Sequence, residues 1–263
     1  MSKTGDQEGV VSLSRGLHIL RAFGEAEGAL GIQQIAEATA LPKATVSRLV
    51  YTLMREEYLI RAESEQRYQL GYKVFGIGRA LLSSLDVCAV ARPIMARLAD
   101  THDATIDLAV RERDSALLIE SVASPRAAQI QLPIGSKVPL ATSSMGRTYF
   151  AFLQPDELKN ELQELKQSLP DGAQIVKSIR DGLNEARKDG FSVFVDEWRT
   201  GVVSVSVPLQ LAPKDTLLLL NCSVPARRVT RGVLLDVIGP ALVAASNEIL
   251  IELRRRKKTF QGD

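Results

Sequence analysis

The chain has 263 residues, 45% of them hydrophobic, with 33 Lys plus Arg against 31 Asp plus Glu. That is room for one large domain or two modest ones with ordinary cores, and it excludes a disordered chain. A formal net charge of +2 names no partner, and two distant cysteines, Cys88 and Cys222, exclude both a disulfide framework and a Cys-based zinc site. A reducing, cytoplasmic setting is expected. The polar start "MSKTGDQEGVV" lacks the apolar core of a signal peptide. The longest apolar runs, such as "TLLLLNCSV", fall short of the roughly 20 residues that span a bilayer, so no membrane partner is expected.

In chain order, "SLSRGLHILRAFGE" places Leu13, Leu17, Leu20 and Phe23 on one helical face. After a break from Gly24 to Gly31, a short helix turns Ile32, Ile35 and Ala36 inward and ends near Thr39. Pro42 suits the first position of the next helix, where its missing N–H costs nothing. That helix buries Val46, Leu49, Val50 and Leu53, spaced i, i+3, i+4, i+7. "YLIRAESEQRYQL" then reads as a β-hairpin with a polar turn at Glu63 to Gln66. Three helices and a hairpin make a winged helix-turn-helix, expected over residues 10–73.

Helical pattern resumes over residues 74–103, interrupted by Pro93, and is expected as an interdomain linker. Beyond it, "ATIDLAVRERDSALLIESV" reads as a hairpin turning near Arg113 and Asp114, and "KVPLATSSMGRTYFAFL" as a loop feeding a helix. Charged helices follow near 155–168 and 174–189. Strand-like "FSVFVDEW", "GVVSVSVPLQL" and "DTLLLLNCSV" precede a long final helix from about Arg228 to Arg256. Helices among hairpin-linked strands predict an α+β domain over 104–256 with a mostly antiparallel sheet.

The second helix of a helix-turn-helix enters the major groove and offers its N-terminal residues to base edges. Here Lys43, Ala44, Thr45, Ser47 and Arg48 occupy those positions. Helix N–H groups attract phosphate, Lys and Arg pair with guanine edges, and the Ala44 methyl suits a thymine methyl. Gln66, Arg67 and Tyr68 on the wing, and Arg15 on the first helix, are expected to contact the flanking backbone or minor groove. The competing interpretation is a helical hairpin with a solvated basic face; the wing favours DNA. From Lys43 to Lys73 six basic residues (Lys43, Arg48, Arg55, Arg61, Arg67, Lys73) meet four acids (Glu56, Glu57, Glu63, Glu65), a net of +2. So weak a basic excess predicts that tight binding needs two half-sites and a dimer. The first helix and the helix around Phe75 to Leu85 are the expected dimer surfaces. No GxSxG, HExxH, P-loop or strand-linked GxGxxG occurs, so no catalytic residue, metal or cofactor is expected.

These segments resemble the IclR-type transcriptional regulators. "SLSRGLHIL", "GIQQIAEATALPKATVSRLVYTL" and "RYQLGYKVFGIG" carry the N-terminal resemblance; "LPIGSKVPLATSSMGR" and "RKDGFSVFVDEWRTGVVSVSVPL" carry a looser C-terminal one. The resemblance covers about residues 10 to 253. It implies a C-terminal effector-binding domain similar to GAF domains, and dimers or tetramers on palindromic operators in double-stranded DNA. It also implies an effector pocket lined by the small-residue loop, by a strand position often held by Cys, and by polar residues of the last strand. Those positions carry Ser144 and Met145, Ser204, and Asn221 and Ser223; Ser143 adds a loop hydroxyl. An acidic residue common on the preceding strand is replaced by Phe194, with Asp196, Glu197 and Trp198 beyond it. Met145, Phe194 and Trp198 are either pocket wall or plain core. The expectation is a regulator of catabolic genes that senses a small, possibly aromatic, organic acid. An architectural DNA-binding protein and a sensory enzyme fused to a DNA-binding domain are the alternatives.

Overall fold

The computed structural model describes residues 10–26, 28–62, 66–84, 86–195, 199–212 and 216–260. The chain divides into two compact units after Ser84.

The N-terminal unit contains α1 (Val11–Glu25), β1 (Leu30–Gly31), α2 (Ile32–Thr39), α3 (Lys43–Arg55), β2 (Leu59–Arg61), β3 (Arg67–Leu70) and α4 (Tyr72–Ser84). α2 stops because Ala40 takes a left-handed conformation, φ 53°, as its C-cap, and Pro42 then caps α3. The wing is a three-stranded antiparallel sheet in the order β1-β3-β2. Its third strand, a two-residue piece pairing Leu30 with Tyr68, is too short to leave a periodic signal in sequence. Ile19, Ala22, Phe23, Leu30, Ile35, Val46, Val50 and Leu59 form the core.

The apolar stripe of α1 divides. Phe23 is buried, whereas Leu13 and Leu17 are 62% and 52% exposed. The core draws on the C-terminal half of α1, through Ile19, Ala22 and Phe23, and among the described residues of the unit no element covers the N-terminal half. Leu13, Leu17, Leu20, Tyr51 and Ile77 instead line a broad groove. Phe75 is also exposed; the side chains of residues 81–86 lie outside the described ones.

The helical stretch 74–103 spans the boundary between the two units. α5 (Asp86–His102) buries Val87, Val90, Ala91, Ile94, Met95 and Ala99 in the C-terminal core, and Pro93, exposed on its outer side, does not end it.

The C-terminal unit continues with β4 (Thr105–Glu112), β5 (Ser115–Ala123), β6 (Lys137–Pro139), α6 (Ser144–Phe152), α7 (Pro155–Ser168), α8 (Gly172–Asp189), β7 (Ser192–Val195), β8 (Val202–Leu209), β9 (Leu218–Pro225), α9 (Arg231–Val233) and α10 (Gly239–Phe260). The six strands form one antiparallel sheet, β6-β5-β4-β9-β8-β7. Strand side chains alternate between two layers of helix. Ile106, Leu108, Val203, Val205, Val207, Leu220, Cys222 and Val224 pack with α5 and α10. Ala109, Leu118 and Leu219 pack with α6, α7 and α8. A five-residue π-helical turn, Leu234–Ile238, joins α9 to α10. Arg231–Arg256 is long and apolar enough to cross a bilayer by length and composition, but Leu234, Ile238, Leu242, Ala245 and Ile249 of that span are buried in the core.

Candidate functional site

On α3 the side chains of Lys43, Ala44, Ser47 and Arg48 are exposed and Thr45 is half-buried, while Val46 and Val50 hold the helix to the core. The helix N-terminus is therefore in solvent with its anion-attracting N–H groups. Tyr51 follows Ser47 by one turn and is 65% exposed, and Arg55 and Arg61 border the groove between α3 and the wing. Sequence reasoning passed over these three, although Tyr51 and Arg55 share the i, i+4 spacing from Ser47. Gln66 and Arg67 are exposed at the wing, and Tyr68 is half-buried against the core. The Arg67 guanidinium donates to the Ala29 carbonyl at 3.4 Å, which ties the wing strand to β1. Arg15 is exposed on α1 and lies beside the apolar groove.

The C-terminal unit holds a second site, a cavity between the sheet and the start of α6. Its volume is about 40 Å³, space for a few waters where one needs roughly 10–15 Å³. Ser143, Ser144, Met145, Phe194, Ser204, Asn221 and Ser223 all line it. Trp198 lies outside the described residues, as do Asp196 and Glu197. Strand alternation assembles the sheet wall: Asn221 stands opposite Asp107 on β4, and Ser223 opposite Ser204 on β8. Ser143 caps α6 by accepting the Gly146 N–H at 3.2 Å. A glycine is required there, because a Cβ on Gly146 would sit 1.6 Å from the Leu140 carbonyl oxygen.

The side chains are joined by hydrogen bonds. Ser144 Oγ donates to Asn221 Oδ1 at 2.9 Å and lies 2.8 Å from Ser204 Oγ. Asn221 Nδ2 donates to Ser223 Oγ at 3.0 Å, and the Asn221 side chain also bonds Asp107. Ser121 Oγ donates to Asp107 Oδ1 at 2.7 Å. Asp107 is only 5% exposed, and burial pushes its carboxyl up to about 6, against the pull of the Ser121 and Asn221 hydrogen bonds.

Asp107 is a cavity-lining residue that sequence reasoning missed. Its signal was one acid in the inner strand "ATIDLAV", where a charge is costly to bury without partners. Arg199, whose guanidinium donates to the Ile130 carbonyl at 2.8 Å, also lines the cavity, with Ile130, Leu132, Val138 and Val202. These come from distant segments and have no shared motif. Burial pushes the thiol of Cys88 up to about 11 and that of Cys222 higher still, so both stay protonated.

A winged helix-turn-helix joined to an antiparallel-sheet unit with a polar-lined cavity defines a DNA-binding regulator with a ligand-binding unit. Comparison with known proteins identifies which kind. Residues 12–62 match the family described as IclR helix-turn-helix domain, and residues 79–250 match Bacterial transcriptional regulator IclR C-terminal. The chain belongs to the IclR family of transcriptional regulators. It is 33% identical to the Pca regulon regulatory protein of Pseudomonas putida, over 95% of this chain and 86% of that one. It superposes on an IclR family transcriptional regulator from Brucella abortus with a TM-score of 0.83 and 35% identity, over 95% of this chain and 94% of that one. An IclR homologue from Microbacterium hydrocarbonoxydans, complexed with 4-hydroxybenzoate, shares the fold: TM-score 0.76, 21% identity, 93% of this chain and 99% of that one.

Proposed function

We propose that this chain is an effector-responsive regulator that controls catabolic genes in the cytoplasm. In this reading residues 10–73 bind a palindromic operator in double-stranded DNA, and residues 104–256 bind a small organic acid. The observation that carries the proposal is the linked chain Ser204–Ser144–Asn221–Asp107, half-buried at Ser204 and buried at the other three, in a cavity that also has apolar wall from Ile130, Leu132, Val138, Met145, Phe194 and Val202. A core gains nothing from four linked polar side chains that leather-dry packing would replace at lower cost, whereas a binding site needs a few convergent polar groups on an apolar wall. The N-terminus of α6 and the Arg199 guanidinium favour a carboxylate. The 4-hydroxybenzoate bound by the Microbacterium homologue supports an aromatic acid. At about 40 Å³ the cavity holds only a compact acid as it stands, so a ring requires Met145 or Phe194 to turn aside.

The exposed groove of Leu13, Leu17 and Ile77 supports assembly into dimers or tetramers, which place two reading helices on two half-sites. Lys43, Ala44, Ser47 and Arg48 read the operator from α3, with Thr45 beside them; Arg15, Gln66, Arg67 and Tyr68 position the domain on the backbone. The test is a thermal-shift screen of aliphatic and aromatic acids on the full chain, followed by operator binding with and without each hit. A hit that raises the melting temperature and changes operator affinity is the expected result, since a ligand that binds only the folded form stabilises it. Operator binding that no acid alters, by a chain that no acid stabilises, would favour an architectural role.

A further inference from the structure

The cavity's hydrogen bonds have a direction. A serine hydroxyl carries one proton, and a carboxylate only accepts. Ser144 gives its proton to Asn221 Oδ1, so the 2.8 Å contact with Ser204 must use the Ser204 proton. The carboxylate of Asp107 accepts, so it takes an N–H from Asn221; the other Asn221 N–H goes to Ser223. Ser121 spends its proton on Asp107 and receives one from Gln131 Nε2 at 3.2 Å. The Ser204, Ser144 and Ser121 protons thus all run toward Asp107, and only the second Asn221 N–H turns aside, to Ser223.

What remains for a ligand divides into acceptors and donors. Asp107 and Ser204 offer only lone pairs: a carboxylate has about four acceptor sites, and two of Asp107's are taken. The donors in the same lining are the Arg199 N–H groups not used on Ile130 and, at the start of α6, the N–H groups of Ser144 and Met145, which have no partner within α6.

Resting on the reading of this cavity as the effector site, we propose that Asp107 selects an acid carrying one carboxylate and one hydroxyl. The carboxylate meets the α6 N-terminus and Arg199, and the hydroxyl donates to Asp107. The unsubstituted acid leaves Asp107 with a vacant acceptor, and a dicarboxylate brings a second anion against it in a desolvated wall.

The experiment titrates the full chain, by calorimetry at pH 7.5, with two matched series: propionate, lactate and malonate, and benzoate, 3-hydroxybenzoate and isophthalate. Whichever series fits, the hydroxylated member binds wild type about tenfold tighter than its parent, as a hydrogen bond to a charged group requires. The dicarboxylate binds more weakly than the parent. Asp107→Ala removes the acceptor, so the hydroxylated and parent acids then bind within about twofold of each other, on the scale of a lost contact. Asp107→Asn removes the charge but keeps an acceptor, and the dicarboxylate recovers toward the parent; a native melting transition for either variant shows that it folds. Equal binding of parent and hydroxylated acid by wild type, or a preference that survives Asp107→Ala, overturns this inference alone. No binding of any of the six acids overturns the effector-site reading, and this inference with it.

Discussion

A helix start stands at each of the two proposed sites, and the two starts differ in burial. α3 begins at Lys43 and Ala44, both exposed; α6 begins at Ser144 and Met145, 1% and 3% exposed. Both present backbone N–H groups that favour negative charge. In solvent that preference is weak per contact and suits a long polyanion, whose many phosphates add up. Inside the C-terminal unit the same preference acts in a low dielectric, where one anion suffices but must also match every neighbouring lone pair and proton. The flanking residues follow suit: Lys43 and Arg48 are long and mobile, whereas Ser144, Asn221 and Asp107 are short and mutually bonded.

Gly146→Ala breaks the buried start most severely. The added Cβ meets the Leu140 carbonyl at 1.6 Å, a backbone atom that cannot swing away. Displacing α6 is expected to cost about 3–4 kcal/mol, at the upper end for a point substitution. Denaturant unfolding of the full chain checks it, with loss of the acid response expected.

Asp107→Asn should act in the opposite direction. The folded-state value of about 6 lies above the ordinary 3.8, so the protonated form is the one favoured by folding. The group's contribution is therefore fully favourable below about pH 3.8, falls as pH rises toward 6, and is lost above it. The amide variant is expected to be more stable than wild type at pH 7.5 by about 1–3 kcal/mol. The gap should close by about pH 4, as denaturant curves at the two pH values would show.

Asn221→Ala leaves Ser144 and Asp107 without their shared partner. The acid response should weaken by about 1–3 kcal/mol, with operator binding in the absence of acid retained. Titration of the variant beside gel-shift binding separates the two.

At the exposed start the effects are of similar size or smaller, and they divide by type. Lys43→Ala or Ser47→Ala should reduce preference for the cognate operator by about 1–3 kcal/mol. Arg48→Ala should weaken binding to cognate and scrambled duplexes alike and flatten the salt dependence. Competition binding distinguishes them, and unchanged binding in all three would remove α3 as the reader.

How far each site was legible from sequence follows from the range of its contacts. The reading helix is local: Val46, Leu49, Val50 and Leu53 mark its inner face, so Lys43, Ser47 and Arg48 fall outside by period alone. Tyr51, one turn beyond Ser47 on the same face, was not singled out. The α1 stripe was legible as a helix but not as half-covered, since coverage depends on which elements pack over it, and Leu13 and Leu17 have none among the described residues of the unit. In the cavity, Asn221 and Ser223 were legible through the family resemblance, as polar residues of the last strand. Asp107 joins them through pairing of β4 with β9, and Arg199 through a guanidinium that reaches the Ile130 carbonyl, neither of which periodicity reveals. β1 and β6, of two and three residues, are held by their neighbours rather than by propensity.

The measurement that tests the account most directly is operator affinity of wild type and Asn221→Ala, each with and without a saturating acid that binds wild type. The account predicts a several-fold change in wild-type affinity on adding the acid, and a much reduced change in the variant at the same concentration. An acid that raises the wild-type melting temperature yet leaves operator affinity unchanged would contradict it, because the ligand would then fill the cavity without favouring either DNA-binding state.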